Sequence, residues 1–328
     1  MYNGLINVYK EPGFTSMDAV AVLRGILKQK KIGHTGTLDP AAEGVLMVCL
    51  GNATKLCSFL EDKDKEYECR MLLGVETDTE DTTGQEISRR KIVMGESADD
   101  DSLCLSEELI KEAIMSFKGN IKQVPPMYSA LKKDGKKLYE LAREGKEIER
   151  EARDITIFEI EILGIEFPYV SFRVHCSKGT YIRSLCRDIG KKLGCGGCMD
   201  HLLRTKVSFF AYDNSLKLSQ IEELAKAGKI DEFILPTSDV FSDLKSIHVK
   251  EESSKIIENG NSLLWSNVER IEEADGNTDA NTQKAECELK SRVSDSESFK
   301  VYTSTNKFIA VYKYDSKKDI FSCEKMFL

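Results

Sequence analysis

No run in the 328-residue sequence approaches the ~20 apolar residues that a membrane-spanning helix requires, which excludes a helical membrane protein. The N-terminal Met1-Tyr2-Asn3-Gly4 lacks the charged start and apolar core of a signal peptide, so the expected compartment is the cytoplasm. Positive charge is in deficit: 47 Lys and Arg face 55 Asp and Glu, and the formal net charge of -8 weighs against a nucleic-acid partner, because phosphate contacts need local Lys and Arg. Cys195-Gly196-Gly197-Cys198 has no second Cys pair and no His at ligand spacing, since His201 follows Cys198 too closely. It reads as a glycine-rich turn, and no metal or cofactor is expected. No tandem repeat of fixed period runs along the chain.

Apolar residues make up 41% and charged residues 31%, enough for a sizeable core. The length suggests two units. The ten cysteines are scattered, and Cys49, Cys57, Cys69, Cys176 and Cys186 fall inside apolar patterns, where a reduced thiol behaves as a small hydrophobe. Charge is unevenly spread. From Lys118 to Arg153 ten basic residues face six acidic ones, and from Arg173 to Lys206 eight face two. The first of these islands interleaves Tyr128 and Tyr139 with Lys132, Lys133, Lys136 and Lys137, a pattern suited to RNA backbone and loop bases.

Periodicity predicts strands at 5–9, 45–50, 66–73, 155–162 and 170–176. Helices are expected from an N-cap at Ser16, over 53–60, from an N-cap at Ser106, over 181–193 before Gly194, and from a capping box of Ser219 with Glu222. The stretch 84–106, acidic at 96–101, reads as a solvated loop. Beyond Pro236, 263–265 and 308–314 suggest strands of a small β domain, interrupted by an acidic, mobile loop over 268–298. Gly33-His34-Thr35-Gly36-Thr37-Leu38-Asp39-Pro40 has two glycines and a proline in eight residues, so it forms a tight loop that can present a side chain rigidly. Composition alone leaves Asp39 equally readable as a turn residue before proline or as a catalyst.

That octapeptide, followed by Ala41-Ala42-Glu43-Gly44-Val45-Leu46, resembles the catalytic motif of TruB-type tRNA pseudouridine synthases. Lys10-Glu11-Pro12-Gly13-Phe14-Thr15-Ser16, Gly51-Asn52-Ala53-Thr54-Lys55, Lys65-Glu66-Tyr67, Pro125-Pro126-Met127-Tyr128-Ser129-Ala130-Leu131-Lys132 and Lys178-Gly179-Thr180-Tyr181-Ile182-Arg183 are similar to further family segments, in family order. The resemblance implies a mixed α/β (α+β) catalytic domain over 1–240, with a mainly antiparallel central sheet and a cleft. It also implies an insert over 118–153 that grips the T-loop of tRNA, and a PUA-like RNA-binding β domain over 241–328.

For the site it implies Asp39 as the catalytic carboxylate, Arg183 as its cation and Tyr67 as the stacking aromatic. Tyr181 and Leu202 would wall the pocket, His34 would enter the T-loop, and Lys10 and Lys55 would meet phosphate or the pocket. The family reaction converts uridine 55 of tRNA to pseudouridine. It breaks the C1′–N1 bond, turns the base and joins C1′ to C5, and it requires neither metal nor redox cofactor. Three routes are open to the carboxylate: attack on the base, attack on C1′, or removal of the 2′ proton. A monomer acting without a protein partner is expected. Rival readings are a guide-RNA-directed synthase subunit, a tRNA-binding or tRNA-folding protein without catalysis, and a glycosidase, for which no second carboxylate pairs with Asp39 in the sequence. The position after Leu202, commonly basic in the family, is Leu203 beside Arg204.

Overall fold

The computed structural model describes residues 1–95, 101–133, 135–274, 290 and 293–328. The chain opens with strand β1 (Gly4–Lys10), helix α1 (Ser16–Ile26), β2 (Ile32–His34) and β3 (Glu43–Leu50). Thr15, not Ser16, caps α1: its hydroxyl accepts from Asp18 N while Asp18 accepts from Thr15 N, a reciprocal capping box. Ser16 is thereby free to accept from Leu38 N. A 3-10 helix (Gly51–Leu56) runs into α2 (Cys57–Glu61), and β4 (Lys65–Leu73) follows. Its burial alternates strictly up to Leu73, as a strand with one face on a core must.

The stretch expected as a solvated loop, 84–106, holds strands. It contains β6 (Glu86–Arg89), which pairs with β5 (Val75–Thr77) ahead of it, and β7 (Ile92–Met94) paired with β8 (Leu103–Leu105). Leu105 and Ile92 reach the core, so apolar burial outweighed the acidic composition that suggested a loop. Residues 96–100 lie outside the described residues. Helix α3 (Glu107–Met115) is capped by Ser106 as expected, and β9 (Gly119–Gln123) follows. The basic insert holds a hairpin of β10 (Lys132–Lys133) and β11 (Lys136–Lys137), then α4 (Leu138–Arg143). Next come β12 (Arg153–Glu166), β13 (Tyr169–Cys176), α5 (Ile182–Leu193), β14 (Gly197–Val207), β15 (Phe210–Ala211) and α6 (Leu218–Lys226). Lys217, not Ser219, precedes α6, its N–H donating to Gln220 Oε1 at 2.8 Å.

These strands form one nine-stranded sheet in the order β1-β3-β14-β4-β13-β12-β9, with β2 on β3 and β15 on β14. Every pairing is antiparallel except β14 with β3. That parallel contact runs Leu203 opposite Glu43, and it places the end of the Asp39 loop beside Arg204. Helix α5 packs its Ile182, Leu185, Cys186 and Ile189 on the inner face of β4, β13 and β14, against Tyr67, Cys69, Met71, Phe172 and Leu202. Cys49, Cys69, Cys176 and Cys186 are buried, Cys57 partly so, and Cys69 and Cys186 approach to 3.5 Å between sulfurs. Cys195 and Cys198 are buried at the turn into β14, where Gly196 adopts φ +76.

The C-terminal part is a β domain of β16 (Lys245–Val249), β17 (Val268–Glu272), β18 (Ser298–Tyr302), β19 (Phe308–Asp315) and β20 (Ile320–Met326), with α7 (Ser254–Glu258) after β16. The sheet order is β17-β16-β18-β19-β20, around a core of Trp265, Phe299, Tyr312 and Phe321. Two expectations change here. Leu263 forms only an isolated bridge to Phe321, with Trp265–Asn267 a 3-10 turn, and both ends of the supposed loop are strand. The residues between, 275–289 and 291–292, lie outside the described residues. No helix among the described residues is long and apolar enough to cross a membrane.

Candidate active site

The loop between β2 and β3 is held from several sides before Asp39 is reached. Thr35 N donates to Met47 O, and Arg204 Nη2 to Gly36 O at 3.3 Å. Leu38 N donates to Ser16 Oγ at 2.9 Å, the task for which Ser16 is turned inward at the start of α1. Pro40 O accepts from Gly13 N and from Lys10 Nζ, at 2.8 and 3.2 Å. Gly36 takes φ +134 within this loop, which a residue with Cβ rarely adopts. With the backbone fixed at residues 35, 36, 38 and 40, the Asp39 carboxylate has a defined direction.

Arg183 meets it. Its Nε lies 2.9 Å from Asp39 Oδ2 and its Nη2 3.1 Å from Oδ1, the forked pairing that only a guanidinium provides. The same guanidinium donates to Thr79 O at 3.0 Å and Tyr128 O at 2.8 Å. The Arg183 side chain is 5% exposed whereas Asp39 retains 35%. The cation is thus enclosed behind the carboxylate, which keeps an open edge. A cation in the first turn of α5 opposes the helix dipole, and nearby carboxylates offset it. Asp81 Oδ2 lies 4.0 Å from Arg183 Nε, while Glu80 accepts from Ser184 Oγ and pairs with Arg187.

Asp81 is the second carboxylate that the sequence did not reveal. Its Oδ1 accepts from Thr79 Oγ1, Thr83 N and Thr83 Oγ1, which closes the turn between β5 and β6. Withdrawal from water raises the Asp39 carboxyl above its usual value of 3.8; Arg183 pulls it down and the Asp81 charge pushes it up again.

Tyr67, on β4, is 7% exposed and lies within electrostatic reach of Asp39. Burial raises its phenol, and Arg204, against its hydroxyl, opposes the rise. Arg204 is itself fully buried, donating from Nε to Val45 O at 2.7 Å, so it joins β14, the Asp39 loop and Tyr67. Tyr181, the N-cap of α5, is part-buried and also senses Asp39 and Arg183. Leu202 is buried opposite Cys69 on the same face as Tyr67. His34 is held neutral-leaning by burial and by Arg204, with Gly36 N donating to its Nδ1 at 3.4 Å.

The two lysines expected to meet phosphate or the pocket both donate to backbone oxygens. Lys10 is wholly buried, its ammonium donating to Glu11 O, Phe14 O and Pro40 O, and burial lowers it to about 8. It braces the loop from within. Lys55 is exposed but donates to Leu328 O at 3.0 Å, at the C-terminal end of the chain. Asp81 and the site role of Arg204 escaped the sequence reading. Asp81 sits in a Thr-rich turn that looks like ordinary loop, and an arginine following two leucines carries no sign of its own burial.

Comparison with known proteins places the chain in a family. Residues 24–182 match the TruB family pseudouridylate synthase N-terminal domain, and 183–242 the tRNA pseudouridylate synthase B C-terminal domain. The tRNA pseudouridine synthase B of Lachnoclostridium phytofermentans is 48% identical over 99% of this chain and 100% of its own length. That of Clostridium tetani is 48% identical over 79% of this chain and 84% of its own. Among solved structures, a Cbf5-Nop10-Gar1 complex aligns with TM-score 0.67 at 26% identity, covering 99% of this chain and 85% of that one. An H/ACA RNP bound to a substrate RNA containing 2′-deoxyuridine aligns with TM-score 0.66 at 24% identity, over 99% and 85%. With a matching fold, matching domains along 24–242 and a relative aligned end to end, this chain belongs to the TruB family of pseudouridine synthases.

Proposed function

We propose that this protein is a tRNA pseudouridine synthase that isomerises uridine 55 in the T-loop, with Asp39 as the reacting carboxylate. The observation that carries the reading is the forked ion pair of Arg183 with Asp39, which joins two motifs distant in sequence and leaves one edge of the carboxylate open. In the reaction the C1′–N1 bond breaks, the base turns, C1′ joins C5, N1 gains a proton and C5 loses one. The formula is unchanged, so no co-reactant is required. Arg183 favours the ionised carboxylate and fixes its orientation. Tyr67, Tyr181 and Leu202 supply flat and apolar walls for a uracil turned out of the RNA loop. Their burial excludes water from the base while it is detached from the sugar.

The insert, with exposed Lys132, Lys133 and Lys136 and with Lys137 and Arg143 over the Tyr139 ring, offers a surface for the T-stem backbone. The C-terminal β domain acts as a second RNA-binding module. The relatives named tRNA pseudouridine synthase B favour tRNA over a guide-directed RNA as substrate. Incubating the purified chain alone with unmodified tRNA and mapping pseudouridine tests this directly. Pseudouridine is expected at position 55 with the parent, and a loss of about 10³-fold or more with Asp39→Asn. Equal activity of parent and Asp39→Asn would sink the catalytic assignment, and dependence on added protein partners would favour a guide-directed complex.

A further inference from the structure

Gln123 is the last residue of β9, in the first part of the basic insert, and only 2% of it is exposed. Both functions of its amide are spent on one residue: Nε2 donates to Tyr181 O at 3.0 Å, and Oε1 accepts from Tyr181 N at 2.8 Å. Tyr181 is the N-cap of α5 and has no side-chain cap of its own. Its carbonyl also accepts the first helical bond, from Leu185 N at 3.0 Å. A glutamine from another strand therefore fixes the peptide that starts the helix, two residues before Arg183.

The neighbouring bonds follow the same line. Val124 O, next in the chain, accepts from Arg187 Nη2 at 3.1 Å, one turn further along α5. Tyr128 O accepts from Arg183 Nη2 at 2.8 Å. Pro125, Pro126 and Met127 between them are buried, so residues 123–128 form a stiff strap across the start of α5. This segment of the insert, just ahead of its exposed lysines, also contacts the catalytic cation.

We propose that Gln123 is a positioning residue for the isomerisation: it locks the start of α5 to the base of the insert and so holds Tyr181 and Arg183 in register with Asp39. This deepens the functional reading above and rests on it. The two amide bonds place a donor and an acceptor in fixed opposition, which a carboxylate cannot reproduce when ionised but can when protonated. Loss of the lock lets the helix start shift by a fraction of an ångström, enough to misalign a reacting carboxylate while the insert still binds RNA.

The test uses the full chain and unmodified tRNA, with single-turnover rates, tRNA affinity and thermal melting measured for parent, Gln123→Leu, Gln123→Glu and Asp39→Asn. For Gln123→Leu the rate is expected to fall about 10- to 100-fold, with affinity for tRNA changed by less than about 3-fold. For Gln123→Glu the rate relative to the parent at the same pH is expected to recover as pH falls and the introduced carboxyl takes up a proton. A folded variant with an unchanged rate, or one that loses affinity as much as rate, overturns the proposal. If Gln123→Leu does not fold, Gln123→Glu decides: a relative rate independent of pH overturns it. The Asp39→Asn control separates the two levels: activity surviving there refutes the reading of the site and with it the register proposed here, whereas an inactive Asp39→Asn beside an unchanged Gln123→Leu rate refutes the strap alone.

Discussion

At the scale of single residues, the site is an enclosed cation holding a half-exposed anion. Arg183→Lys keeps the charge but loses the fork and its bonds to Thr79 O and Tyr128 O. It is expected to lower the rate about 100-fold in single-turnover assays on tRNA. The pH dependence follows from the raised Asp39 carboxyl. The folded state holds this proton to higher pH than the unfolded chain, whose carboxyl titrates near 3.8. Over that window activity is expected to rise with pH as the carboxylate forms, while the Asp39 contribution to stability falls. Denaturant titrations across pH should show that slope in the parent and lose it in Asp39→Asn. Asp81→Asn removes the neighbouring charge while keeping an oxygen for Thr79 and Thr83, so the acid limb of the pH–rate profile should move downward. An upward shift would contradict the electrostatic account. Asp39 was legible in the sequence through the motif around it. Asp81 was not, because its role arises from a contact across 102 residues of chain to Arg183.

At the scale of elements, what was legible followed from local pattern. The alternation of 170–176, the helical spacing before Gly194 and the Ser106 cap all reappear, because burial of one face and satisfaction of helix ends are local requirements. One departure occurs where a tertiary contact chose between two equivalent residues. Thr15 and Ser16 are both competent N-caps, and Ser16 is turned inward to Leu38 instead. The parallel contact of β3 with β14 makes a separate demand. Gly44 has φ +104, and a Cβ there would stand 2.3 Å from Arg204 O. Gly44→Ala is therefore expected to destabilise the fold by about 2 kcal/mol or more, read as a lower denaturation midpoint. A variant as stable as the parent would show that the two strands can separate without cost.

At the scale of the whole molecule, the two sheets share a core. Leu5, Val45 and Met47 of the large sheet pack with Val240, Phe241, Val311 and Phe327, and the rings of Phe59, Phe241, Phe308 and Phe327 touch in sequence. Lys55 adds a bond to Leu328 O across the same junction. The single tryptophan, Trp265, sits in the C-terminal core and reports on that half alone. Its fluorescence and the activity of the other half are expected to be lost in one denaturant transition, and Phe241→Ala should shift both by about 3 kcal/mol. Two separate transitions would show that the junction does not couple the halves. The sequence by itself determined the family-like motif order, most of the strands and helices, the basic island and the identity of the loop that bears Asp39, because each depends on residues close together in the chain. Only the tertiary structure decided that Lys10 faces inward, that Arg204 is buried against Tyr67, that Asp81 stands beside Arg183 and that Gln123 holds the start of α5. Those roles depend on which distant backbone groups need a partner once water is excluded, and no local pattern encodes that.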